Sequence, residues 1–570
     1  MPYSPNKLSQ FWQELKRRKV IHVIIVYATA SFVIIELVNN VYETLNLPEW
    51  TPAFTLIILA IGFPLAIIFS WIFDITAKGI RKTGPLGAGT QENETHSIKV
   101  KTTTAENSII VLPFENISPD PDQEYFSDGM TEEIITDLSH IHDLMVISRS
   151  SAMTFKGTKS TIKEIAEKVN VRYVLEGSVR KAGNSLRITA QLIDGVNDVH
   201  LWADKYSGTL DDIFDIQEKV SKSIVDALKI KLSPDEKYRM AQQKINDATA
   251  YEQYLLARHE IWRATDESLS HAIQLLNSSL DAIGRNEYLL TALGYVYFQY
   301  VNLGIDPDIR YLDMADELIN EALALNPELS KAYYIKSVLH ETRGELNDSF
   351  NAIKQALKFD PADSEALMMI AFMYGVVGKH EKGMSYAIRA IESDPLYPLA
   401  YCGEWWVNQS AGMFNKASET CSRMYNIDQD NPLSIHAYAY TLACNNNIKK
   451  ATQLYDLLVV KHPGQSLTLL GKAIRHAINN EKREALESIN KQLEKAAEMD
   501  HVFAWWLSDV YSLVGERDKA IDYLERASRD IFIDYPFFSK HDPFLENVRE
   551  EERFKKLMVE VKTKWENFEA

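Results

Sequence analysis

Residues with the types and spacing for chemistry lie mainly in the middle of the chain. Asp128-Gly129 opens a helical pattern that also carries Glu132 and Glu133, carboxylates suited to holding a metal ion or moving a proton. The same residues suit a plain helix start from about Thr131: Ser127 or Asp128 caps it, Gly129 turns the chain, and first-turn acids favour the dipole. His140 and His142 have ligand-like spacing, but no cysteine or further histidine is near, so they read as a solvated helix end. Glu176-Gly177-Ser178 is followed by Val179-Arg180 and lacks the glycine frame of a nucleophile elbow. Gly378-Lys379 invites a phosphate loop, yet His380 replaces the hydroxyl residue and Met373 the upstream glycine. No catalytic, cofactor or metal site is expected.

The elements that position these residues are dominated by one interval. Pro327, Pro361 and Pro395 stand 34 residues apart, each after Asn or Asp. A 34-residue period ended by proline is the pattern of the tetratricopeptide helix-turn-helix repeat. Small residues recur where paired helices approach: Gly344 and Ala356, then Gly378 and Ala390, then Gly412 and Ala417. The pattern extends over about eight units, the first near Tyr254 and Ala272. Asp306-Pro307-Asp308 reads as an insertion, and beyond Pro395 the register is expected to drift. First helices of such arrays line the inner face, which makes Lys331, Tyr334, Glu341, Met368, Phe372, Trp406 and Gln409 the candidate partner groove. Trp405-Trp406 and Trp505-Trp506 read as half core, half groove.

Two apolar stretches, about 20–41 and 54–75, have the length to cross a bilayer. Lys16, Arg17, Arg18 and Lys19 precede the first; Lys78, Arg81 and Lys82 follow the second; the connecting turn holds Glu43 and Glu49 without Lys or Arg. The positive-inside rule puts both ends in the cytoplasm. Glu36 is a polar group within the first span, where an ionisable residue is costly and usually has a partner or a function. Gly62-Phe63-Pro64 predicts a kink.

Residues 83–107 read as a flexible linker, and 108–232 as a small α/β domain of order β-α-β-α-β-β-β-α with one mixed sheet. Val111-Leu112-Pro113-Phe114, Tyr125-Phe126-Ser127-Asp128-Gly129, Leu175-Glu176-Gly177-Ser178-Val179-Arg180, Gln191-Leu192-Ile193-Asp194, Trp202-Ala203 and Asp212-Ile213-Phe214 with Gln217 resemble the TolB amino-terminal-like domain of bacteria. Phe11-Trp12-Gln13-Glu14-Leu15-Lys16-Arg17-Arg18 and Gly62-Phe63-Pro64 resemble the membrane segment of the same group. The resemblance implies signalling architectures in which this domain is coupled to tetratricopeptide arrays and, in some members, to class III adenylate cyclase or winged-helix domains. Residues 1–19 leave no room for either ahead of the first span.

The 570 residues carry a formal charge of −18, which disfavours a nucleic-acid-binding body. Cys402, Cys421 and Cys444 are widely spaced and read as buried small hydrophobes in a reducing compartment. The expected whole is multidomain: a membrane hairpin (1–82), the linker, the α/β domain, an all-α solenoid (248–535) and carboxyl-terminal capping helices (536–570). It reads as a non-catalytic scaffold or signalling adaptor in the bacterial inner membrane, with cytoplasmic domains that bind protein or peptide partners. The alternatives are a homo-oligomeric membrane assembly, or a ligand or nucleotide sensor in the α/β domain.

Overall fold

The computed structural model describes residues 106–570 except 235, 238–244, 304, 307 and 570, and before them residues 31, 38, 50, 53–59, 63, 73–76 and 79–82. The chain divides into two compact units, Met1–Val100 and Lys101–Ala570. Glu36, most of both expected spans and nearly all of the expected linker lie outside the described residues. Among the described residues no helix is long and apolar enough to cross a membrane. Residues 53–59 are helical, with the side chains of Phe54, Leu56, Ile57 and Ile58 exposed. The far end of the second expected span is not helical: β1 (Phe73–Thr76) pairs antiparallel with β2 (Gly79–Lys82). The cause is local, since Phe73-Asp74-Ile75-Thr76 alternates apolar and polar residues with the period of a strand.

In the second unit, β3 (Ser108–Val111) runs parallel to β5 (Met145–Val146) and to β6 (Tyr173–Ala182), and the short β4 (Glu115–Asn116) also pairs with β6. Strands β6, β7 (Ser185–Asp194) and β8 (Val199–Thr209) form an antiparallel meander, so the sheet is mixed, in the order β5-β3-β6-β7-β8. Alternation in β7 buries Leu186, Ile188, Ala190 and Leu192 and turns Arg187 and Thr189 outward. Gly177 in β6 is where the Phe114 ring lies down on the strand; a Cβ there would come within 2.9 Å of the ring. That close approach accounts for the glycine in Glu176-Gly177-Ser178. Four helices complete the layer: α1 (Glu124–Ser139), α2 (Arg149–Met153), α3 (Ile162–Val169) and α4 (Ile213–Leu228). A reciprocal capping box of Thr161 and Glu164 starts α3, whose Ile165, Ala166 and Val169 are buried. Helix α1 begins at Glu124, not near Thr131, because the 3-10 turn Pro121–Gln123 leads straight into it. Ser127, Asp128 and Gly129 are therefore interior helical residues, not caps.

Helix pairs then stack to the end of the repeat region: α5 (Ala248–Arg263) with α6 (Asp266–Ile283), α7 (Glu287–Asn302) with α8 (Arg310–Leu325), α9 (Ser330–Thr342) with α10 (Leu346–Phe359), and α11 (Ser364–Val376) with α12 (His380–Ser393). They continue with α13 (Cys402–Ser410) and α14 (Phe414–Ile427), α15 (Pro432–Cys444) and α16 (Ile448–Lys461), α17 (Ser466–Ile478) and the broken second helix α18 (Lys482–Ser488) and α19 (Lys491–Met499), and finally α20 (His501–Leu513) with α21 (Arg517–Ser528). This is a tetratricopeptide-type solenoid. The long connection between α7 and α8 holds the expected insertion.

The register does not drift where the prolines stop. Gly344, Gly378, Gly412, Asn446 and Asn480 all have positive φ and follow one another at 34 residues, with Gly515 next at 35. Each sits in the tight turn between the two helices of a unit. That turn needs a left-handed residue, which glycine or asparagine supplies, whereas the proline between units is dispensable.

After α21 the chain leaves the repeat pattern. Ile531, Phe532, Ile533, Phe537, Phe538, Phe544, Leu545 and Val548 are all buried, in a segment with a π-helical turn (Phe537–His541) and a 3-10 helix (Pro543–Val548) before α22 (Glu552–Asn567). The segment runs beside the intra-unit turns: Asp530 lies at Gly344, Asp534 at Gly378 and His541 at Gly412. The Ile533 N–H donates to the Val376 carbonyl at 3.1 Å. It is an inserted core strip as much as a cap.

Candidate partner-binding face

The solenoid curls back on itself. Asp500, ahead of α20, raises the carboxyl pKa of Glu341 on α9, and the Phe350 and Phe568 rings lie 5.4 Å apart. On the first helices α9, α11 and α13, residues 34 apart meet as rungs across neighbouring units, as Lys331 with Glu365 and Phe372 with Trp406. Lys331 on α9 and Glu365 on α11 are one such rung, joined as an ion pair. The Lys331 ammonium lies 4.5 Å from the Tyr334 ring centroid and 4.9 Å from that of Tyr295 on α7. Their side chains stay open, 38% accessible for Lys331 and 31% for Glu365. Phe372 and Trp406 form a second rung, with ring centroids 6.0 Å apart. Tyr334 is buried by its neighbours, whereas Met368 and Phe372 are partly buried against the core. Glu341, half-buried and beside Asp500, has its carboxyl pushed up to about 8, mainly by burial.

Three of the seven expected groove residues are buried: Tyr334, at 9% exposure, and Trp406 and Gln409, which belong to the interior. Trp406 is 1% exposed, packed at 5.0 Å against Trp505, 5.2 Å against Phe532 and 5.7 Å against Phe537. Gln409 is fully buried; it accepts from the Thr441 hydroxyl at 3.0 Å and its amide donates to the Cys444 sulfur at 3.3 Å. The carboxyl-terminal strip covers this part of the inner face, so both tryptophan pairs are core. The sequence signal for that was the aperiodic apolar run Ile531-Phe532-Ile533 with Phe537-Phe538. Tyr295 and Glu365 were missed as groove residues, although the 34-residue spacing from Lys331 pointed to Glu365.

The carboxylates of α1 do structural work. Lys156 donates to both Asp128 oxygens at 2.7 and 2.8 Å, Arg149 pairs with Glu132 at 3.1 Å, and Arg258 of α5 reaches both Glu132 and Glu133, the latter at 2.8 Å. Gly129 lets α1 approach α5, since a Cβ there would meet Leu255 at 2.9 Å. The Asp128-Gly129 stretch of α1 is thus part of the seam between the α/β domain and the first solenoid unit. A second seam joins Ser151 of α2, whose N–H donates at 2.9 Å, to the buried Asp394 carboxylate between units four and five.

His340, Glu345 and Asp348 have donor atoms within 4.8 Å of one another, close enough for a cation. The His340–Glu345 contact recurs in the seventh unit as His476–Glu481, with Arg475 adding a bond of 2.9 Å to Glu481. Its recurrence marks it as a fastening of the intra-unit turn. Cys402 and Cys421 are buried, Cys444 half-buried, and all three are unpaired. Burial pushes the Cys402 thiol up to about 12, which keeps it protonated and unreactive.

Residues 105–223 match a family described as the second domain of HilA/YgeH-like transcriptional regulators. The chain is 45% identical over 177 residues to a Rhizobium meliloti protein named as a candidate adenylate cyclase 3, covering 31% of this chain and 30% of that protein. It is 24% identical over 246 residues to a tetratricopeptide repeat-containing protein of Methanocaldococcus jannaschii, covering 42% and 39%. The chain thus spans well under half the length of either relative. A solved tetratricopeptide repeat protein of Parabacteroides merdae aligns with 47% of this chain and 99% of its own, at 14% identity and a TM-score of 0.35. At that score it adds nothing to the helix pairing, which stands on the structure itself.

Proposed function

We propose that this chain is a non-catalytic scaffold that holds a protein segment on the inner face of its solenoid, in the part the carboxyl-terminal strip leaves open. The carrying observation is the accessible Lys331–Glu365 ion pair with the Tyr295 and Tyr334 rings beside its ammonium, and Met368 and Phe372 part-exposed on the same first helix as Glu365. The acids best suited to catalysis are instead neutralised by Lys156, Arg149 and Arg258. The match of residues 105–223 to a domain of transcriptional regulators, and the TolB-like motifs, support a signalling rather than a metabolic setting. The two apolar stretches and their flanking Lys and Arg support an anchor in the bacterial inner membrane with the solenoid in the cytoplasm.

Crosslinking in native membranes, with purification through the carboxyl terminus, tests the scaffold reading. Partners recovered with the parent chain should be lost with a Lys331→Ala/Phe372→Ala variant that melts at the same temperature. Recovery unchanged by that variant rejects the face. A reporter fused after Ala570 should behave as cytoplasmic; periplasmic behaviour rejects the topology.

A further inference from the structure

The meander β6–β8 has one face on the helices and one open to solvent. Leu186, Ile188 and Ala190 are buried on the first, where Tyr206, opposite Ile188, meets Ser223 of α4 at 3.0 Å. On the open face Arg180 of β6 stands directly opposite Arg187 of β7, and Thr189, next along that face, stands opposite Lys205 of β8. All three cations are exposed. Like charges opposed across a ladder are destabilising unless an anion lies between them. The chain supplies none: among the described residues Arg180, Arg187 and Lys205 have no carboxylate partner, whereas Arg149 and Arg172, the other arginines of the domain, pair with Glu132 and Asp194. Ser178, opposite Thr189, and Ser207, opposite Arg187, add hydroxyl donors. Two carboxylates share the face, Glu176, which accepts from Gln191, and Glu115 of β4 beside Ser178. Cations therefore stay in excess here, in a chain of net charge −18. The other end of the meander exposes aliphatic side chains: Val196 at 56%, Val199 at 50% and Leu201 at 44%. Leu201 has no partner on β7, because Leu192 opposes Trp202 and Ile193 opposes His200. Along β8 it lies about 13 Å from Lys205.

Resting on the membrane-anchor reading, we propose that the open face of β6–β8 lies on the phosphates of anionic lipid headgroups, with Arg180 and Arg187 sharing one phosphate and Lys205 holding a neighbouring one. A phosphate between the two guanidiniums replaces their repulsion with charge-assisted hydrogen bonds. In a bilayer the headgroups lie within about 5–10 Å of the acyl boundary, which gives Val196, Val199 and Leu201 an apolar place beside the cations. A nucleic acid offers phosphates but no such place. Residues 83–107, at most about 90 Å when extended, join the domain to the second apolar stretch and keep this face within reach of the bilayer.

The test places the full chain in two nanodiscs, one of phosphatidylcholine and one that also contains phosphatidylglycerol, and reads how fast an amine-reactive reagent labels Lys205. Labelling should be about threefold slower in the anionic disc, and high salt should remove the difference. Arg180→Gln/Arg187→Gln should return Lys205 to its rate in the neutral disc, while slow amide exchange in β6–β8 shows the sheet still folded. Equal labelling in the two discs, or protection that survives the arginine substitutions, overturns the proposal. A chain that enters both discs but labels equally keeps the anchor and loses the face. Stronger protection by a single-stranded oligonucleotide in detergent than by the anionic disc assigns the face to nucleic acid and also overturns it. Recovery with neither disc rejects the anchor; flotation with vesicles of the same two compositions then decides the face, which falls if neither vesicle carries the chain and stands if only the anionic one does.

Discussion

Gly375 shows what a single position decides. It lies in α11 facing the Trp406 indole, so that a Cβ would collide with the ring. Trp406 cannot yield, because Trp505, Phe532 and Phe537 hold its other sides. Gly375→Ala should lower stability by about 1–3 kcal/mol through overpacking, read as a lower urea midpoint with an unchanged slope. Its helix propensity alone would have favoured alanine, so stabilisation would show that the indole has room to move. Trp406 was legible as a repeat position on a first helix, but its burial was not, because Trp505, Phe532 and Phe537, which cover it, come from distant parts of the sequence.

At the scale of elements, the carboxyl-terminal strip is held by a carboxyl pair. Asp509 of α20 and Asp542 of the strip are both fully buried and act on each other's ionisation. The Tyr440 hydroxyl donates to Asp509 at 2.7 Å and the Trp505 N–H to Asp542 at 2.8 Å. A proton shared between the two carboxyls fits Asp542 pushed up to about 6 and Asp509 raised well above its ordinary value, both mainly by burial. Arg549 acts on Asp542 in the opposite sense. The folded state therefore binds protons more tightly than the unfolded chain. The pair's stabilisation is complete below the ordinary aspartate value of 3.8 and is lost as pH rises through about 6 and beyond. Amide exchange in 532–549 should accelerate between pH 5 and pH 8 beyond the intrinsic base-catalysed increase, and Asp509→Asn should flatten that excess. An equal pH response in the variant would mean the pair does not share a proton. The left-handed turn residues belong to this scale too: Asn446 and Asn480 continued the 34-residue register in plain sight, but prolines are the more conspicuous marker and they stop at Pro395.

For the whole molecule, the seams join the α/β domain to the solenoid. Arg258→Ala would remove the cation that reaches both Glu132 and Glu133, while Arg149 still serves Glu132. The expected loss is about 2 kcal/mol, with proteolysis between the domain and the first unit becoming faster than in the parent. Unchanged proteolysis would show that Leu255 and its apolar neighbours carry that seam alone. What the sequence determined by itself was what is local or periodic: the mixed sheet from alternation and turns, and the helix pairs from the 34-residue interval. Short-range patterning specifies such features because each unit repeats the same packing problem with its neighbour. Tertiary structure alone decided which parts of the candidate groove stay open. The strip that buries Trp406 and Gln409, and the arginines that neutralise Glu132 and Glu133, arrive from distant positions whose pairing no local period encodes. The closing segment covers Trp406, whereas Lys331 and Glu365 keep part of their side chains accessible.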